Sequence, residues 1–543
     1  MPATVYGSSR VATTWQFDHV EALPWADAKL VLLAIATVLA FGIRIHALSV
    51  YGLSEDEINK VHAIDQYRSG HFVDNAEHPM LMKLAMWGSE NLALAWNRVA
   101  PPEQAMSLET AIRLPNVVAG AATTAVLFGI ADLLFGGAVA AAASFVWAFD
   151  VNAIAINRIG KEDTFLLLFF LAAVLCYERA KRRGIEDPDR AQSWYTLSGA
   201  FFGLMLASKY MPHYLGIYAL FNVLADPNPG RNKPLKFRYY GAMSMAFVLA
   251  NLAILSPETW RHGASYIQGG MVPHHGYPYA GALYVTNVPI SPLGVPVTYY
   301  LRFLATKVPL VLLAAAVPGV IELVRRRHER GFVLLRLLVI FVLVPYSLMA
   351  AKFIRYTLPL LATLDLIAAV GLVAGTTWLL RKGWLSPMTR VTVSALSVGV
   401  FSAGLVASQQ TAAPFYSVFQ NAIGVRLAAP GFTFPEETYD YGVREAVASI
   451  AAVAEPSAVV VSDATGGVAH YLRDHGRPDL SVRALSADGL PPEPHEQWVI
   501  VQDEHATFEN RALVDQLRAR EHPWAQFRAN GVVAAQVFRI AGR

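Results

Sequence analysis

The sequence has 543 residues, of which 54% are hydrophobic and only 16% are charged. An ordinary globular protein carries about a quarter charged residues, so this composition indicates an integral membrane protein. The formal net charge of +3 is small and the basic residues form short separate groups, which argues against nucleic acid as a partner. The single cysteine, Cys176, excludes an internal disulfide and a cysteine-based metal site.

Apolar runs dominate the chain after its first 28 residues, which lack the pattern of a secretory signal. Each run is long enough to cross about 30 Å of hydrocarbon as a helix. They begin near residues 29, 113, 137, 163, 195, 213, 239, 303, 332, 356 and 389. We therefore predict a polytopic α-helical membrane region of about eleven spans over residues 29 to 409, preceded by a cytoplasmic segment of residues 1 to 28.

Four loops between these runs are strongly basic, and such loops lie on the cytoplasmic side by the positive-inside rule. They read RAKRR (179 to 183), RNKPLKFR (231 to 238), RRRHER (325 to 330) and RKGWLSPMTR (381 to 390). This assignment places the loops 50 to 110 and 257 to 302 outside. We accordingly expect a multi-pass protein of the cytoplasmic (inner) membrane, with membrane lipid around it and its N-terminus inside.

Residues 410 to 543, called the tail region below, alternate helix and strand patterns. An amphipathic helix pattern at 439 to 453 is followed by the strand pattern AVVVSD, a helix, the strand patterns LSVRAL and QWVIVQDE, a further helix and a hairpin at Asn530-Gly531. We predict a small α/β domain outside the membrane. Its SDATGG segment lacks the complete glycine fingerprint of a dinucleotide site.

The stretch GLSEDEINK (52 to 60) begins the first external loop. Ser54 and Glu57 have the spacing of a capping box, which predicts the start of an amphipathic helix at the membrane surface. One acid suffices for a cap, and a carboxylate held at the membrane face can act as a general base, a role that stays open at this point for the other two acids, Glu55 and Asp56.

A metal site is one interpretation of the sequence EHP in the same loop. Glu77 and His78 would supply ligands, together with His274 and His275 from the loop 257 to 302. The alternative is that these are ordinary hydrogen-bonding histidines. No cofactor is certain from the sequence, and a divalent metal ion stays open.

A second acidic cluster and several cations also lie at predicted external span ends. The acids are Glu162 and Asp163 in the loop after residue 150. Cations are uncommon on this side, so they either snorkel to headgroups or hold the phosphate of a lipid-linked substrate. The candidate phosphate-binding residues are Arg355, Lys352, Lys209, Arg158 and Lys161.

The order of several motifs resembles the protein O-mannosyltransferase and aminoarabinose-transferase superfamily of GT-C glycosyltransferases, which includes glycosyltransferase family 39. The motifs are DEINKVHAIDQY, EHPMLMKL, RLPNVVAG, DVNAIAINRIGKEDTFLLLFF, GLMLASKYM and KFIRYTLPLLATL, within residues 29 to 380. The resemblance implies a GT-C fold whose first external loop carries the catalytic aspartate. This aspartate maps to Asp56, with Glu57 beside it, and Glu55 is left without a role. The resemblance also maps Glu162 and Asp163 onto the family's second acidic element.

The resemblance further implies the reaction. A sugar, mannose or a related one, would pass from a polyprenyl-phosphate donor to a hydroxyl of a protein or lipid acceptor outside the membrane, with inversion at the anomeric carbon. The family's His-Pro element maps to Glu77, His78 and Pro79, and because only one proline follows the histidine, the acceptor stays open. The alternative is a transporter or flippase of a lipid-linked or polar solute, although such proteins place charges nearer the bilayer midplane.

Overall fold

The structure is a computed structural model that describes residues 25–183, 187–226, 233–268, 276–286, 288, 290, 294–383, 385–427, 434, 437–490 and 493–542. The region up to residue 427 is mainly helical. Its helices are α1 (Trp25–Ile45), α2 (Glu55–Arg68), α3 (Leu81–Asn97), α4 (Leu108–Phe135), α5 (Gly137–Phe149), α6 (Val151–Asn157), α7 (Glu162–Arg183), α8 (Pro188–Ser208), α9 (His213–Ala225), α10 (Lys236–Ala250), α11 (Pro257–Ile267), α12 (Tyr299–Lys307), α13 (Leu310–Arg325), α14 (Arg330–Leu348), α15 (Leu358–Leu380), α16 (Pro387–Ala412) and α17 (Ala422–Leu427). A short antiparallel hairpin, β1 (Tyr277–Tyr279) and β2 (Ala282–Tyr284), precedes α12.

Each predicted apolar run lies on a helix, but the helices differ in length. Among the described residues, four are long and apolar enough to cross a membrane, namely Pro102–Phe135, Arg330–Leu348, Ile354–Leu380 and Pro387–Ala412. The number rises to six if the bent pairs α5–α6 and α12–α13, with bends of 61° and 116°, each count as one span. The figure of eleven spans therefore stays a prediction.

The helices pack closely where small residues allow it. Gly199 and Gly203 of α8 stand one turn apart, and a Cβ at either position would lie 2.3 Å from the carbonyl oxygen of Tyr239 or 2.2 Å from that of Met243. Small residues at this spacing let two helix backbones approach in a membrane. Helix α10 therefore lies directly against α8, which in turn packs on α7.

The tail region contains a five-stranded sheet with helices on both faces. Its elements are α18 (Val443–Val453), β3 (Val459–Val461), α19 (Thr465–Asp474), β4 (Ser481–Arg483), α20 (Leu485–Asp488), β5 (Gln497–Val501), α21 (Arg511–Arg520), β6 (Ala525–Ala529) and β7 (Val532–Ile540). The strand order is β4-β3-β5-β7-β6, in which β4, β3 and β5 run parallel and the other pairs are antiparallel. Trp498 and Val499, adjacent on β5, are buried in the cores of opposite faces, as the alternation of side chains along a strand requires.

The predicted order of helices and strands is found in this region, with one boundary corrected. The helix predicted from residue 439 begins only at Val443. Tyr439 and Asp440 have φ values of 43° and 59°, and Gly442 has φ 87°. These left-handed conformations cannot continue a right-handed helix. The Asn530-Gly531 hairpin is confirmed, with φ values of 44° and 85° as a tight hairpin turn needs.

Candidate active site

Helix α2 begins with the predicted capping box, which the structure confirms. The backbone N–H of Ser54 donates to Glu57 Oε2 at 3.0 Å, and the N–H of Glu57 donates to Ser54 Oγ at 3.4 Å. These reciprocal bonds satisfy two groups that a helix start otherwise leaves without partners. The capping box therefore fixes where the acidic residues stand on the helix.

Glu57 is fully buried and its carboxylate is saturated. Arg113 Nε donates to Oε1 and Arg113 Nη2 to Oε2, both at 2.8 Å, and the N–H of Gly160 donates to Oε1 at 2.8 Å. Burial would raise the pKa of Glu57, but the charge and hydrogen bonds of Arg113 lower it below its usual value. This carboxylate ties the start of α2 to α4 and to the turn before α7, and it presents no open oxygen to a substrate.

Asp56 has the opposite character, because 37% of its side chain is exposed. Its carboxylate forms an ion pair with Lys161, and Lys60, one turn further along α2, donates to the Asp56 carbonyl oxygen at 3.2 Å. Partial removal of the Asp56 carboxylate from water would raise its pKa, but the positive charges of Lys161, Lys60 and Arg355 lower it well below the usual aspartate value. Asp56 is therefore an ionised carboxylate that a substrate can reach.

The second acidic element, at the start of α7, is also held by cations. Lys60 Nζ lies 3.2 Å from Glu162 Oε1, and Lys209 Nζ donates to Asp163 Oδ1 at 2.7 Å. Arg355 Nε lies 3.9 Å from Asp163 Oδ2. These residues come from α2, α7, the end of α8 and the turn before α15, so the fold brings four separate segments together at one end of the helices.

The charges of this cluster do not cancel. It combines three carboxylates with four cations, so one positive charge is in excess. His78 adds no charge at neutral pH, because burial lowers its pKa to about 3. The members of the charge cluster are Asp56, Glu162 and Asp163 on the acidic side and Lys60, Lys161, Lys209 and Arg355 on the basic side.

Aromatic rings form one wall of the cluster. Lys209 Nζ lies 4.5 Å from the ring centre of Tyr356, and the guanidinium of Arg355 lies 4.1 Å from that of Phe353. The rings of Tyr346 and Tyr356 stack at 5.3 Å. Such rings hold cations by their negative faces and offer an apolar surface beside them.

Two of the five predicted phosphate-binding cations lie elsewhere. Arg158 is fully buried and donates to the backbone carbonyls of Arg44, His46 and Ala47 at 2.5 to 2.9 Å. Lys352 is also buried and donates to the carbonyl oxygen of Val295 at 2.6 Å and to that of Met349. Both side chains hold loops together, whereas Arg355, Lys209 and Lys161 belong to the charge cluster.

The predicted metal ligands are only partly brought together. Glu77 Oε2 lies 2.9 Å from Nε2 of His262, a residue of α11 that the sequence reading did not single out. His78 instead faces Glu162, with 3.9 Å between Nδ1 and Oε1. His274 and His275 lie outside the described residues. The loops 50 to 110 and 257 to 302, both predicted to be external, do meet, but Glu77 and His262 supply two ligand atoms where a protein metal site typically uses three or more.

Lys60 and Arg113 also belong to the site, although the sequence motifs did not single them out. Their positions in the sequence are nevertheless informative. Lys60 stands four residues after Asp56, the spacing at which helical side chains become neighbours. Arg113 lies within RLPNVVAG, one of the motifs of the resemblance, at the point where α4 passes the start of α2. A third group, Asp440, Glu504 and His505, places three potential metal-ligand atoms within 4.8 Å of one another in the tail region. Asp440 of this group contacts α2.

Comparisons with known proteins bear on the fold of the chain. Residues 104–255, less than half of the chain, match the family described as dolichyl-phosphate-mannose-protein mannosyltransferase. The crystal structure of ArnT from Cupriavidus metallidurans in the apo state superposes with a TM-score of 0.54 at 13% identity, covering 94% of this chain and 97% of that one. The chain has a GT-C glycosyltransferase fold. The fold implied by the sequence motifs is thereby confirmed.

Further solved structures with the GT-C fold also resemble the chain. ArnT from the same organism bound to undecaprenyl phosphate gives a TM-score of 0.52 at 13% identity, with the same coverage of 94% and 97%. The oligosaccharyltransferase AglB from Archaeoglobus fulgidus, in complex with an inhibitory peptide and a dolichol-phosphate, gives 0.45 at 10% identity, covering 84% of this chain and 64% of that one. The search of curated proteins gave no match. At these identities the likeness concerns the fold alone.

Proposed function

We propose that this GT-C protein transfers a sugar from a polyprenyl-phosphate donor to a hydroxyl of a protein or lipid acceptor at the outer face of the inner membrane. The observation that carries the proposal is the charge cluster, in which one cation is in excess around an accessible, ionised Asp56. A polyprenyl-phosphate sugar is a phosphodiester with one negative charge. Binding it would neutralise the cluster.

Arg355 and Lys209 are the cations that we assign to the donor phosphate. Both also contact Asp163, which holds them beside the aromatic wall. An arginine can offer two parallel N–H donors to phosphate oxygens, and a lysine adds a compact charge. The ArnT structure that contains undecaprenyl phosphate supports a lipid phosphate as the ligand class. Phe353 and Tyr356 would then border the first isoprene units.

Asp56 is the group that we assign as general base. It would accept the proton of the acceptor hydroxyl while that oxygen bonds to the anomeric carbon. The bond from this carbon to the phosphate oxygen breaks, and the electron pair leaves with the polyprenyl phosphate, so one displacement inverts the anomeric centre. The leaving phosphate gains a negative charge, which Arg355, Lys209 and Lys161 would stabilise.

The lowered pKa of Asp56 has two consequences for this role. The carboxylate is ready to accept a proton at any pH near neutrality, because it stays ionised. It is also a weaker base than a free carboxylate, so most of the driving force must come from the leaving phosphate and its cations. Glu57 would serve as scaffold, since Arg113 and Gly160 already occupy its oxygens. Glu162 would position Lys60.

The test is the substitution Asp56→Asn in protein reconstituted into liposomes with radiolabelled polyprenyl-phosphate sugars and a panel of protein and lipid acceptors. We expect transfer to fall by roughly 10²- to 10⁴-fold, the usual contribution of a general base. Asp65→Asn is the matched control, because Asp65 lies on the same helix, is exposed and pairs only with Arg68 in the described part of the chain.

Each outcome of this test separates the candidates. Undiminished transfer by the Asp56→Asn protein would remove Asp56 from the role of base. A parent protein that moves the labelled lipid across the liposome membrane without transferring the sugar would favour the transporter alternative. The proposal includes mannose or a related sugar as the group transferred and inversion at its anomeric carbon. NMR of the anomeric carbon of the product tests the stereochemistry.

A further inference from the structure

The tail region contacts the backbone that leads into α2, called the acidic helix below. This backbone, residues 49 to 55, is called the entry segment below. Arg444 of α18 donates to the carbonyl oxygens of Ser49 at 3.0 Å and Val50 at 3.1 Å. Tyr471 of α19 accepts a hydrogen bond from the N–H of Leu53 at 2.5 Å. The entry segment is therefore held by side chains that are about four hundred residues away in sequence.

Asp440 acts on the first residue of α2 itself. Its Oδ2 accepts a hydrogen bond from the N–H of Glu55 at 2.8 Å. The first N–H groups of a helix have no partner within the helix, and the capping box satisfies only those of Ser54 and Glu57. Asp440 thus caps α2 from another part of the chain, one residue before Asp56.

The conformation of Asp440 is fixed by its own neighbours. His505 Nε2 lies 2.6 Å from Asp440 Oδ1, and Glu504 Oε1 accepts from the Asp440 N–H at 2.6 Å. Burial would lower the pKa of His505, but Asp440, Glu504 and Glu55 raise it to about 10, so the imidazole is positively charged at neutral pH. This pair, together with the left-handed backbone at Asp440, aims the free carboxylate oxygen at α2.

Close packing accompanies these hydrogen bonds. A Cβ at Gly52 would lie 2.8 Å from Cβ of Arg444 and 2.9 Å from the hydroxyl of Tyr471. The rings of Tyr51 and Tyr441 are 4.4 Å apart. The tail region therefore packs directly against the entry segment, which Arg113 of α4 also holds through the carbonyl oxygens of Tyr51 and Gly52.

We propose that the tail region positions the acidic helix for catalysis, with Asp440, Arg444 and Tyr471 as positioning residues that act through the entry segment. The inference rests on the proposed function, because these residues affect sugar transfer only if Asp56 is the general base. The tail side chains named here touch neither the charge cluster nor the donor cations in the described contacts. They would set where the carboxylate of Asp56 stands relative to Lys161 and the donor phosphate.

The test compares the full-length parent with Asp440→Ala and Tyr471→Phe. Asp440→Ala removes the carboxylate that accepts from the N–H of Glu55. Tyr471→Phe removes the hydroxyl that accepts from the N–H of Leu53 and keeps the buried ring. Asp479→Ala is the control, because Asp479 pairs with Arg477 on the surface of the same region, away from α2. Hydrogen exchange at the amides of residues 53 to 57 measures the contact without any need for activity.

The expected result has two parts. Exchange of these amides becomes roughly two- to thirty-fold faster in Asp440→Ala, the range that loss of a helix cap produces, and Tyr471→Phe accelerates the Leu53 amide. The kcat for transfer falls in the same variants while the KM for the donor stays within about two-fold, since Arg355 and Lys209 are unchanged. Asp440→Asn, which keeps a side-chain oxygen, recovers part of both effects.

Contrary outcomes are distinguishable. Unchanged exchange in both variants overturns the contact, and faster exchange with an unchanged kcat overturns the positioning role alone. A rise in donor KM without a fall in kcat would also overturn it. A parent protein that transfers no sugar overturns the proposed function, in which case the exchange data still report whether the tail region caps α2.

Discussion

The substitution Glu57→Gln should damage the stability of the protein more than Asp56→Asn, although the two residues are adjacent acids. Glu57 has no exposed side-chain surface, and Arg113, its partner, has none either. Glutamine keeps the size of the side chain but removes its charge, so the guanidinium of Arg113 is left buried without a counter-charge. The glutamine amide also turns N–H donors toward a group that has only donors.

The structure sets the size of this effect. Removing one partner of a buried ion pair costs roughly 3 to 5 kcal/mol, and no discount for solvent applies because both side chains are buried. Asp56 is 37% exposed but its partner Lys161 is only 1% exposed, so Asp56→Asn leaves a buried ammonium with the amide oxygen of asparagine as its acceptor, and we expect a cost of roughly 1 to 3 kcal/mol. The expected difference between the two variants is therefore roughly 2 kcal/mol.

The assay is denaturant unfolding of purified protein in detergent micelles, followed by intrinsic tryptophan fluorescence. A double variant, Glu57→Gln with Arg113→Met, removes both charges but also the hydrogen bonds of Arg113 to the carbonyl oxygens of Leu48, Tyr51 and Gly52, so it should cost less than the sum of the two single substitutions. The reasoning would be refuted if Glu57→Gln cost less than about 1 kcal/mol, or if the double variant were less stable than the single one by the full cost of Arg113→Met.

Two further predictions concern the charge cluster. Arg355→Gln should raise the KM for the polyprenyl-phosphate donor by roughly ten- to a hundred-fold, the value of a hydrogen bond to a charged group, and leave the acceptor KM within two-fold; an equal rise in both would contradict a phosphate role. Because a base works only when deprotonated and the pKa of Asp56 is held well below its usual range, kcat/KM should stay flat from pH 7 to about 4.5. Lys161→Met removes the nearest positive charge, so activity should then be lost at a higher pH as the medium is acidified; an unmoved acid limb would show that Asp56 does not set it.

Local sequence determined the features that depend on residues a few positions apart. The composition identified a membrane protein, and Ser54 and Glu57 specified the helix start because a capping box closes within three residues. The period-two and helical patterns gave the order of helices and strands in the tail region. The turn at Asn530-Gly531 followed from the same local logic, because few residues other than asparagine and glycine adopt two successive left-handed conformations readily.

Tertiary structure alone separated residues that look equivalent in the sequence. Asp56 and Glu57 differ because Arg113, from another helix, occupies the second carboxylate and leaves the first accessible. Lys352 and Arg355 differ because backbone carbonyls surround the one and Asp163 faces the other. The cap that Asp440 places on α2 joins residues 385 positions apart. The strength of an ion pair depends on distance and burial, and the fold fixes both for residues that the sequence leaves far apart.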